Sequence, residues 1–598
     1  MPDAASSRPI RIANCSGFFG DRPSGALEMV EGGPIDVLTG DWLAELTMLI
    51  LHKLRARDRG GFARTFVAQM EQVMGRCLDD GIRVVSNAGG LDPHGCAEAV
   101  SEVADRLGLA PRIAVVAGDD LVPRLDELRE AGALAGFDGG PEPDWDQVVT
   151  ANAYLGAWGI VNALERNADI VITGRVTDAA VCAGPAAWHH GWGRDDLDAM
   201  AGAVVAGHVI ECSAQATGGN YSFFTEIPGW DDPDRVRFGF PWAEVAADGS
   251  SVIGKHDGTG GLVDVGTVTS QLLYEIGGAR YAGPDVVARF DTIELEQAGP
   301  DRVRISGVRG EAPPDTLKVA TNELGGWRNS VSVALTGLDI EAKARFAETA
   351  FWERCPFAPD DFDEVASRIV RSDRADGVTQ EEATAVWRLT VKDRDRDKVG
   401  RAFSDAFVHT GLASIPGLYS PSGGPSGASE FGIYRPATVS TAAVRSSVTI
   451  DDETFSVASQ PPGPAPTPLA EIDDAQRSLG AADGELVTVP LGAIVGARSG
   501  DKGGAANVGV FARSDEVWDW LDAALTVDKL RELLPETADL VVHRHRFPKL
   551  RALNFVIERL LGDGVAASTR QDAQAKAVGE WLRSRPVTVP AGLVDASH

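Results

Sequence analysis

The sequence predicts an α/β protein whose first part is built on a parallel sheet. Short apolar runs rich in Val and Ile begin at Ile10, Ile35, Ile82, Ile113 and Ile170, and each run ends in glycine and polar residues. Such short β-branched runs are typical of buried strands, and stretches with helical spacing separate them. We therefore expect parallel strands joined by right-handed crossovers, with their carboxyl ends along one edge of the sheet.

The polar residues that follow these strands form the first group of candidate functional residues. They are Asp41, Asn87 with Gly89 and Gly90, Asp119, and Arg175 with Asp178. Because open α/β sheets bind ligands at the carboxyl ends of their strands, we expect these side chains to converge on one cleft. This pattern favours a binding or catalytic protein over a purely structural one.

Between and beyond these strands, hydrophobic spacing predicts helices and then a change of architecture. From about residue 290 the sequence is typical of a mixed α+β subdomain, and the proline- and glycine-rich stretch 420–436 predicts a long ordered loop. The predicted helices are 41–57, 62–79, 97–107, 146–166 and 340–355, and the later strands are 303–308, 330–335 and 385–391.

A proline-rich spacer separates a second, smaller domain. Residues 460–469 contain five prolines, which is typical of a semi-rigid linker. We therefore expect a large α/β domain over 8–458, with a subdivision near 290, a linker over 459–480 and an α+β domain over 481–598. In that domain we predict strands at 486–496, 507–513 and 539–547, and helices at 515–525, 527–534 and 571–584.

Composition excludes several classes of protein. The formal net charge of −31 over 598 residues argues against non-specific binding to nucleic acid or to an anionic membrane. The six cysteines lack the spacing of a zinc site or a disulfide framework. No apolar stretch reaches the ~20 residues of a membrane helix, and the first residues do not resemble a signal peptide. We expect a cytoplasmic protein without a membrane span or a nucleic-acid partner.

A polar segment after an Ala- and Gly-rich helix is the second group of candidate residues. His208, Glu211 and Cys212 lie within five positions, and Asn220 follows a glycine pair. A His–Glu or Cys–His arrangement supplies a general base or a nucleophile. The alternative is a buried Cys212 that acts as a small apolar residue and a His208 bonded to backbone.

Two glycine-rich segments are candidates for anion binding. In the first, Lys255 and His256 precede a loop that contains Gly260, and Lys318 and Asn322 are further candidates in this part of the chain. In the second, we expect a tight loop at a sheet end, where basic side chains flank glycines that permit close approach of a phosphate or carboxylate. Its candidate residues are Arg498, Ser499, Lys502, Gly503 and Gly504. The alternative is a turn without a binding role for the first segment and a hairpin with solvated charges for the second.

Taken together, these segments resemble the acyclic terpene utilisation family AtuA. The resemblance rests on Thr39–Glu45, Ser86–Pro93, Ile172–Asp178, Gly207–Cys212, Ala216–Asn220 and Gly258–Gly261, and on Arg498–Gly504, which resembles a small AtuA-like domain. It implies a ferredoxin-like fold for that small domain and a place in acyclic terpenoid breakdown, whose intermediates are branched acyl-CoA thioesters and their carboxylated or hydrated derivatives. It does not imply catalytic residues.

Three functions remain open from the sequence. The first is an enzyme that acts on a branched or terpenoid acyl-CoA by hydration/dehydration or carbon–carbon bond cleavage, and that we expect to form a homo-oligomer. It requires no cofactor or metal, although CoA is part of the substrate and Mg²⁺ or Mn²⁺ is not excluded. The second is a non-catalytic binding or assembly subunit of an acyl-CoA pathway. The third is a metal-assisted hydrolase that uses Asp41, Asp119 and Asp178.

Overall fold

The computed structural model describes residues 8–57, 59–137, 140–232, 237–421, 425–463 and 485–596. Most of the expected linker, 459–480, lies outside the described residues. The chain divides into two compact units, one formed by the described parts of 1–322, 434–565 and 574–598, the other by those of 323–433 and 566–573.

Helices and strands alternate over most of the first 210 residues, and strands predominate in the rest of the chain. The strands are β1 Ile10–Asn14, β2 Val37–Gly40, β3 Arg83–Ser86, β4 Ile113–Ala117, β5 Leu134–Gly136, β6 Val148–Ala153, β7 Ile170–Thr173, β8 Pro241–Val245, β9 Ser251–Lys255, β10 Arg280–Ala282, β11 Val287–Arg289, β12 Glu294–Gly299, β13 Arg302–Ser306, β14 Arg309–Glu311, β15 Thr316–Thr336, β16 Glu364–Val370, β17 Thr384–Asp393, β18 Leu418–Tyr419, β19 Ser429–Tyr434, β20 Ala437–Ser440, β21 Ser446–Ile450, β22 Glu453–Val457, β23 Leu486–Pro490, β24 Val495–Lys502, β25 Ala505–Ala512, β26 Val542–Phe547, β27 Ala552–Ile557 and β28 Pro586–Pro590. The α-helices are α1 Gly25–Gly32, α2 Glu45–Arg55, α3 Arg64–Asp80, α4 Pro93–Leu107, α5 Leu125–Glu130, α6 Trp158–Glu165, α7 Ala180–His190, α8 Leu197–Ile210, α9 Val265–Leu272, α10 Ile340–Trp352, α11 Phe403–Val408, α12 Asp515–Ala524, α13 Val527–Leu533, α14 Val578–Arg583 and α15 Gly592–Asp595.

The first unit is organised by an 11-stranded sheet with a parallel centre. Its strand order is β12-β13-β9-β8-β1-β2-β3-β7-β4-β21-β22. The five strands from β1 to β4 in this order pair in parallel, whereas β8 and β21 flank them in antiparallel registers. The predicted α/β class and the parallel sheet are confirmed.

Both faces of this sheet are buried, which explains the nearly continuous apolar strands. Val37 and Val171 face the core that contains α6, α7 and α8, whereas Leu38 and Ile172 face the core around α1, α3 and α4. Because β1, β2, β3, β7 and β4 are parallel, their carboxyl ends lie along one edge of this buried sheet.

The predicted helix 146–166 is wrong in its first half. Residues 148–153 form β6, and the helix begins only at Trp158. The run Val148-Val149-Thr150 is β-branched and favours a strand. Gly156 then leaves room for the Asp285 carboxylate, which accepts a hydrogen bond of 2.8 Å from the Ala157 amide before α6 begins.

Residues 489–588 contain a four-stranded antiparallel sheet in the order β24-β25-β27-β26, packed on α12, α13 and α14. The expected loop at Arg498–Lys502 is wrong, because these residues belong to β24 and pair with β25. Only Gly503 and Gly504 form the turn, and Gly503 has the positive φ of 62° that such turns favour. The expected helix 571–584 is shorter and covers 578–583.

The second unit matches the predicted α+β pattern. Residues Trp327–Thr336 of β15 pair antiparallel with β17, which pairs with β16, and α10 packs on this sheet. Its core contains Val333, Phe351, Trp387 and Phe403. Over the described residues of the whole chain, no helix combines the length and the apolar character that crossing a membrane requires.

Candidate functional site

The carboxyl ends of β2 and β3 are joined by side-chain hydrogen bonds. Asn87 Nδ2 donates to Asp41 Oδ1 over 2.5 Å, and Asn87 Oδ1 accepts from the Trp42 amide over 2.9 Å. Both polar side chains are buried. Gly89 permits close packing of this loop on β7, because a Cβ there would lie 2.5 Å from the Thr173 carbonyl oxygen.

The carboxyl ends of β4 and β7 are joined in a similar way. Asp119 Oδ2 accepts hydrogen bonds of 2.8 Å from Asn152 Nδ2 and from the Arg175 amide. Burial raises the pKa of Asp119 to about 6, even though both hydrogen bonds oppose the rise. The Arg175 side chain, only 2% exposed, turns away from Asp119 to pair with Asp178 and to stack on Tyr154.

The end of α8 brings His208 and Glu211 to the same edge of the sheet. Asn14, at the end of β1, donates to the carbonyl oxygens of Ile210 and Glu211 and so fixes this turn on the sheet edge. His208 Nδ1 lies 3.2 Å from Glu211 Oε1, and the ring packs on Tyr281. Burial lowers the pKa of His208 to about 4, so the imidazole is neutral at neutral pH.

Asp41 and Glu211 are two buried carboxyls whose pKa values are both raised. Burial raises the pKa of each carboxyl well above its ordinary value, and the negative charge of Asp178 raises it further, while Arg175 opposes the rise. Two residues from different parts of the chain thus interact with the same Arg175–Asp178 ion pair. Perturbed carboxyls of this kind are typical of groups that transfer protons.

Several polar side-chain atoms at this place are buried without a hydrogen-bond partner among the described residues, among them Arg175 Nε, Glu211 Oε2 and both ring nitrogens of His208. Buried polar atoms in folded proteins are almost always hydrogen-bonded, so such atoms call for an explanation. Arg175 Nε is a donor and Glu211 Oε2 is a carboxyl oxygen. A polar ligand that carries an acceptor and a donor would satisfy these two atoms.

Cys212 lies next to Glu211 but has the opposite of a nucleophile's environment. Burial raises the pKa of its thiol well above the ordinary value, and the charges of Glu211 and Glu275 add to the rise. A reactive cysteine requires a lowered pKa, because the thiolate is the nucleophile. The surroundings of Cys212 give covalent catalysis no support.

A second pair of charged groups, Lys318 and Glu45, lies beside the Tyr154 ring on which Arg175 stacks. Lys318 Nζ donates to Glu45 Oε1 over 3.0 Å and lies 4.9 Å from the Tyr154 ring centroid, on which Arg175 also stacks at 4.1 Å. Tyr434 contributes the next ring, 5.8 Å from Lys318 Nζ. Burial raises the pKa of Glu45, but Lys318 and Lys502 outweigh it and hold the pKa below the ordinary value.

Sequence reasoning missed Glu45, Tyr154 and Tyr434 as functional residues. Glu45 stands in the Thr39–Glu45 segment and begins α2 four residues after Asp41, so its position was a usable signal. Tyr154 lies just beyond β6, where the sequence predicts a helix. Asn322, by contrast, is a predicted candidate, and it joins the β6 side of this region through a hydrogen bond to Thr150 Oγ1 of 3.0 Å.

The carboxyl-terminal sheet contacts this region through Lys502. Its Nζ donates to the Glu275 carbonyl oxygen over 3.2 Å, and its charge lowers the pKa of His208 and of Glu211. Arg498 donates to Gln215 Oε1, and its guanidinium lies 4.3 Å from the Tyr274 ring centroid. Both basic residues predicted from this segment therefore face the segment that follows α8 or α9.

Two buried asparagines hold the same segment by its backbone. Asn507 Oδ1 accepts from the Glu275 amide over 2.9 Å, and its Nδ2 donates to the Leu273 carbonyl over 2.7 Å. Asn554 Nδ2 donates to the Gly277 carbonyl over 2.6 Å and, more weakly, to that of Ile276. The two side chains are joined by a hydrogen bond of 2.8 Å. This network fixes the backbone beside Lys502.

Several other candidate residues have local structural contacts. Lys255 Nζ binds the Thr259 carbonyl and Asp301, and His256 binds the Met29 carbonyl. The Gly260 backbone pairs with the strand segment at Phe238. Ser499 Oγ accepts from the Gly579 amide over 2.8 Å, and Asn220 is exposed in a turn with a φ of 58°.

The acidic residues of the sheet edge bear on the metal-assisted hypothesis. Within the described residues, no three or more His, Cys, Asp and Glu side chains are grouped so that they could hold a metal ion. Asp119 is instead engaged with Asn152 and the Arg175 amide. The geometry gives a metal site built from Asp41, Asp119 and Asp178 no support.

Comparison with protein families places the chain. The model of the acyclic terpene utilisation family protein AtuA matches residues 10–450, and the model of the AtuA ferredoxin-like domain matches residues 489–588. Searches of curated proteins and of solved structures gave no match. The resemblance stated from the sequence motifs is thus confirmed, and the chain belongs to the acyclic terpene utilisation family AtuA, with the ferredoxin-like domain of that family.

Proposed function

We propose that the chain is an enzyme that adds water to, or removes water from, a branched or terpenoid acyl thioester by proton transfer. The observation that carries this proposal is the pair of buried carboxyls with raised pKa values, Asp41 and Glu211, both of which interact with the Arg175–Asp178 ion pair. The family supports a role in terpene utilisation. Carbon–carbon bond cleavage of a β-hydroxy thioester is the second reaction that such groups could perform.

In the direction of dehydration, the reaction needs one acid and one base. The bond between the β-carbon and the hydroxyl breaks, and the hydroxyl takes a proton from Asp41 or Glu211 and leaves as water. The α-carbon loses its proton to the Asp178 carboxylate, and the electron pair of that C–H bond forms the double bond. A buried carboxyl with a raised pKa is suited to donate a proton near neutral pH.

Arg175 supplies the third requirement, which is stabilisation of the negative charge that develops on the thioester oxygen. Its Nε is buried and has no hydrogen-bond partner among the described residues, while Nη1 is held by Asp178. A fixed donor in a site of low dielectric stabilises a developing oxyanion strongly. The same donor would also account for binding of the ground-state carbonyl.

The test is turnover of a panel of acyl-CoA thioesters that includes saturated, α,β-unsaturated and β-hydroxy chains, followed by mass spectrometry. We expect a mass change of one water, and a loss of about 100-fold or more in Asp41→Asn and Glu211→Gln. Asp285→Asn is the matched control, because Asp285 is also buried with a pKa of about 6 but binds the Ala157 amide. Full turnover in both carboxyl variants would refute the proposal.

The same experiment separates the alternatives. A shortened thioester product would identify carbon–carbon cleavage. No product from any thioester, together with a stable co-purifying protein, would favour the assembly subunit. Activity that disappears with a chelator and returns with Mg²⁺ or Mn²⁺ would favour the metal-assisted hydrolase.

A further inference from the structure

We infer that Glu275 is a positioning residue for the proton donor Glu211, and that the ferredoxin-like domain makes it one by fixing its carboxylate near the end of α8. The inference rests on the proposed function, in which Glu211 gives a proton to the leaving hydroxyl, and it names how that site is controlled. Glu275 itself belongs to the large domain, in the segment that follows α9.

The main-chain and side-chain polar groups of Glu275 are all bound by residues of the ferredoxin-like domain. Its amide donates to Asn507 Oδ1 over 2.9 Å, and its carbonyl oxygen accepts from Lys502 Nζ over 3.2 Å. Its carboxylate Oε1 accepts from Lys576 Nζ over 2.9 Å. Gly500 leaves room for the side chain, because a Cβ there would lie 3.0 Å from Glu275 Cγ. One domain thus sets the position of a whole residue of the other.

The backbone of Glu275 has a conformation that needs such support. Its φ is 55°, in the left-handed region that residues with a β-carbon seldom adopt. Ala575, directly before Lys576, has a φ of 53°. Backbone strain of this kind persists where the surrounding structure holds it, and it is concentrated at functional sites. Both partners of the Glu275–Lys576 ion pair therefore lie on or next to strained backbone, as expected of a charge whose position matters.

The segment that carries Glu275 connects the hairpin of the ferredoxin-like domain to the end of α8. α9 packs on α8 and also on β24 and β25. Burial is the main cause of the raised pKa values of Glu211 and Cys212, and the charge of Glu275 adds to both. In His208 burial lowers the pKa, and the charge of Glu275 opposes this change. Three residues at the end of α8 thus respond to the same carboxylate.

The charged groups that act on Glu211 come from two sides. On one side Asp178 raises its pKa and Arg175 lowers it, and these two side chains form an ion pair. On the other side Glu275 raises the pKa of Glu211 more than Lys502 lowers it. The contribution of the second side therefore favours the acid form of Glu211. Other titratable groups of these surroundings are Asp41, whose pKa is also raised, and His208, Cys212 and Tyr281, which are neutral at neutral pH.

Lys576 holds the Glu275 carboxylate but is shared with a second acid. Its Nζ also lies 3.3 Å from Asp501 Oδ1. Burial raises the pKa of Asp501 to about 7, and the charge of Glu275 adds to the rise while Lys576 opposes it. Arg498 is a further cation within reach of the Glu275 charge. These cations orient the carboxylate, and its effect on Glu211 is still that of a negative charge.

The test follows the protonation of Glu211 by infrared difference spectroscopy of the full chain, between about pH 4 and pH 9. The band of the protonated carboxyl is assigned by its loss in Glu211→Gln. In Glu275→Gln, whose amide oxygen can still accept from Lys576, we expect the midpoint of this band to fall by about 0.5–1 pH unit. Glu275→Asp keeps the charge and should retain most of the original midpoint.

The pH profile of turnover is a second measurement on the same variants. An acid donates its proton only below its pKa, so kcat should be lost as the pH rises through the pKa of Glu211. In Glu275→Gln this loss should move to lower pH by the same amount as the infrared midpoint, with KM unchanged within about twofold.

Glu226→Gln is the matched control. Glu226 is also a glutamate of the large domain that binds a basic residue of the ferredoxin-like domain, Arg513, over 2.6 Å. The side chains of Glu226 and Glu275 are both 37% exposed. Glu226→Gln should leave the midpoint of Glu211 and the pH profile as they are in the unaltered protein.

An unchanged midpoint in Glu275→Gln would overturn the inference, and so would an equal shift in Glu226→Gln. If Glu275→Gln does not fold, Lys502→Met decides with the opposite sign, because loss of this cation should raise the midpoint of Glu211. A fall or no change in Lys502→Met would then overturn the inference.

The two measurements separate this inference from the proposed reaction. A shifted midpoint in a chain that turns over no thioester would keep the link between Glu275 and Glu211 and remove the reaction. Turnover that requires Glu211, together with an unshifted midpoint in Glu275→Gln, would keep the reaction and remove the link.

Discussion

Asp119 gives the most direct test of the electrostatics at the sheet edge. The pKa of about 6 in the folded chain compares with an ordinary value of 3.8, and burial is the main cause. At 1.36 kcal/mol for each factor of ten in proton affinity, this difference corresponds to about 3 kcal/mol. Because the pKa of Asp119 is raised in the folded chain, the stability that the protonated carboxyl contributes is fully present below about pH 4. It is lost as the pH rises through about 6.

Replacement of Asp119 by Asn removes this loss. The amide can still accept the hydrogen bonds from Asn152 and the Arg175 amide but cannot ionise. We expect the difference in unfolding free energy between Asp119→Asn and the unaltered protein to rise by about 3 kcal/mol between pH 4 and pH 8. The assay is urea unfolding followed by the fluorescence of the 13 tryptophans, at half-unit steps of pH.

Asp36→Asn is the control with the opposite sign. Burial raises the pKa of Asp36, but hydrogen bonds from Arg8 and the Arg11 amide outweigh it and leave the pKa below 3.8. The stability that Asp36 contributes is present above that value and is lost only as the pH falls. Its variant should therefore differ from the unaltered protein by a constant amount between pH 5 and pH 8. If the unfolding free energies of Asp119→Asn and the unaltered protein differ by the same amount at every pH from 4 to 8, the reasoning is refuted.

Two further predictions follow from packing and from the state of the thiol. Cys212→Ala should keep activity within about threefold and Cys212 should resist iodoacetamide at pH 7, because the thiol is held protonated; rapid labelling with loss of turnover would contradict this. Gly89→Ala should lower the unfolding free energy by about 2–3 kcal/mol, since the new Cβ would meet the Thr173 carbonyl and Pro93, and denaturant unfolding measures the loss. Gly81→Ala has open space at a φ of 70° and should cost only about 1 kcal/mol; equal losses would show that backbone conformation, not contact, decides.

The sequence predicted where the site lies better than what surrounds it. Asp41, Asn87, Asp119 and Arg175 follow buried strands, and a parallel sheet brings such positions to one edge whatever the rest of the chain does. His208 and Glu211 are predicted from their chemistry. A hydrogen bond from the Asn14 side chain to the Glu211 carbonyl oxygen holds this segment at the sheet edge. These are local signals with a direct structural consequence.

The remaining parts of the site depend on contacts between distant segments. Tyr154 follows a strand that forms where helical spacing predicts a helix, and Lys318 meets Glu45 over 273 positions of sequence. Lys255 has the sequence of an anion-binding loop, yet Asp301 neutralises its ammonium group. The sequence His543-Arg544-His545-Arg546 is similarly basic, yet Arg544 and Arg546 are both paired with Asp522. Partners of this kind cannot be identified from the residue itself.

Asn507 and Asn554 have a consequence for the evolution of this pair of domains. They recognise amides and carbonyls of Leu273–Gly277, which every sequence supplies, so side chains in that segment can change without loosening the attachment. The asparagines themselves cannot change so easily. Both are fully buried, and replacement of either one would leave main-chain groups without a hydrogen-bond partner. A relative in which the two domains are separate polypeptides would have to keep this pair of amides, because they form a connection that does not depend on the covalent chain.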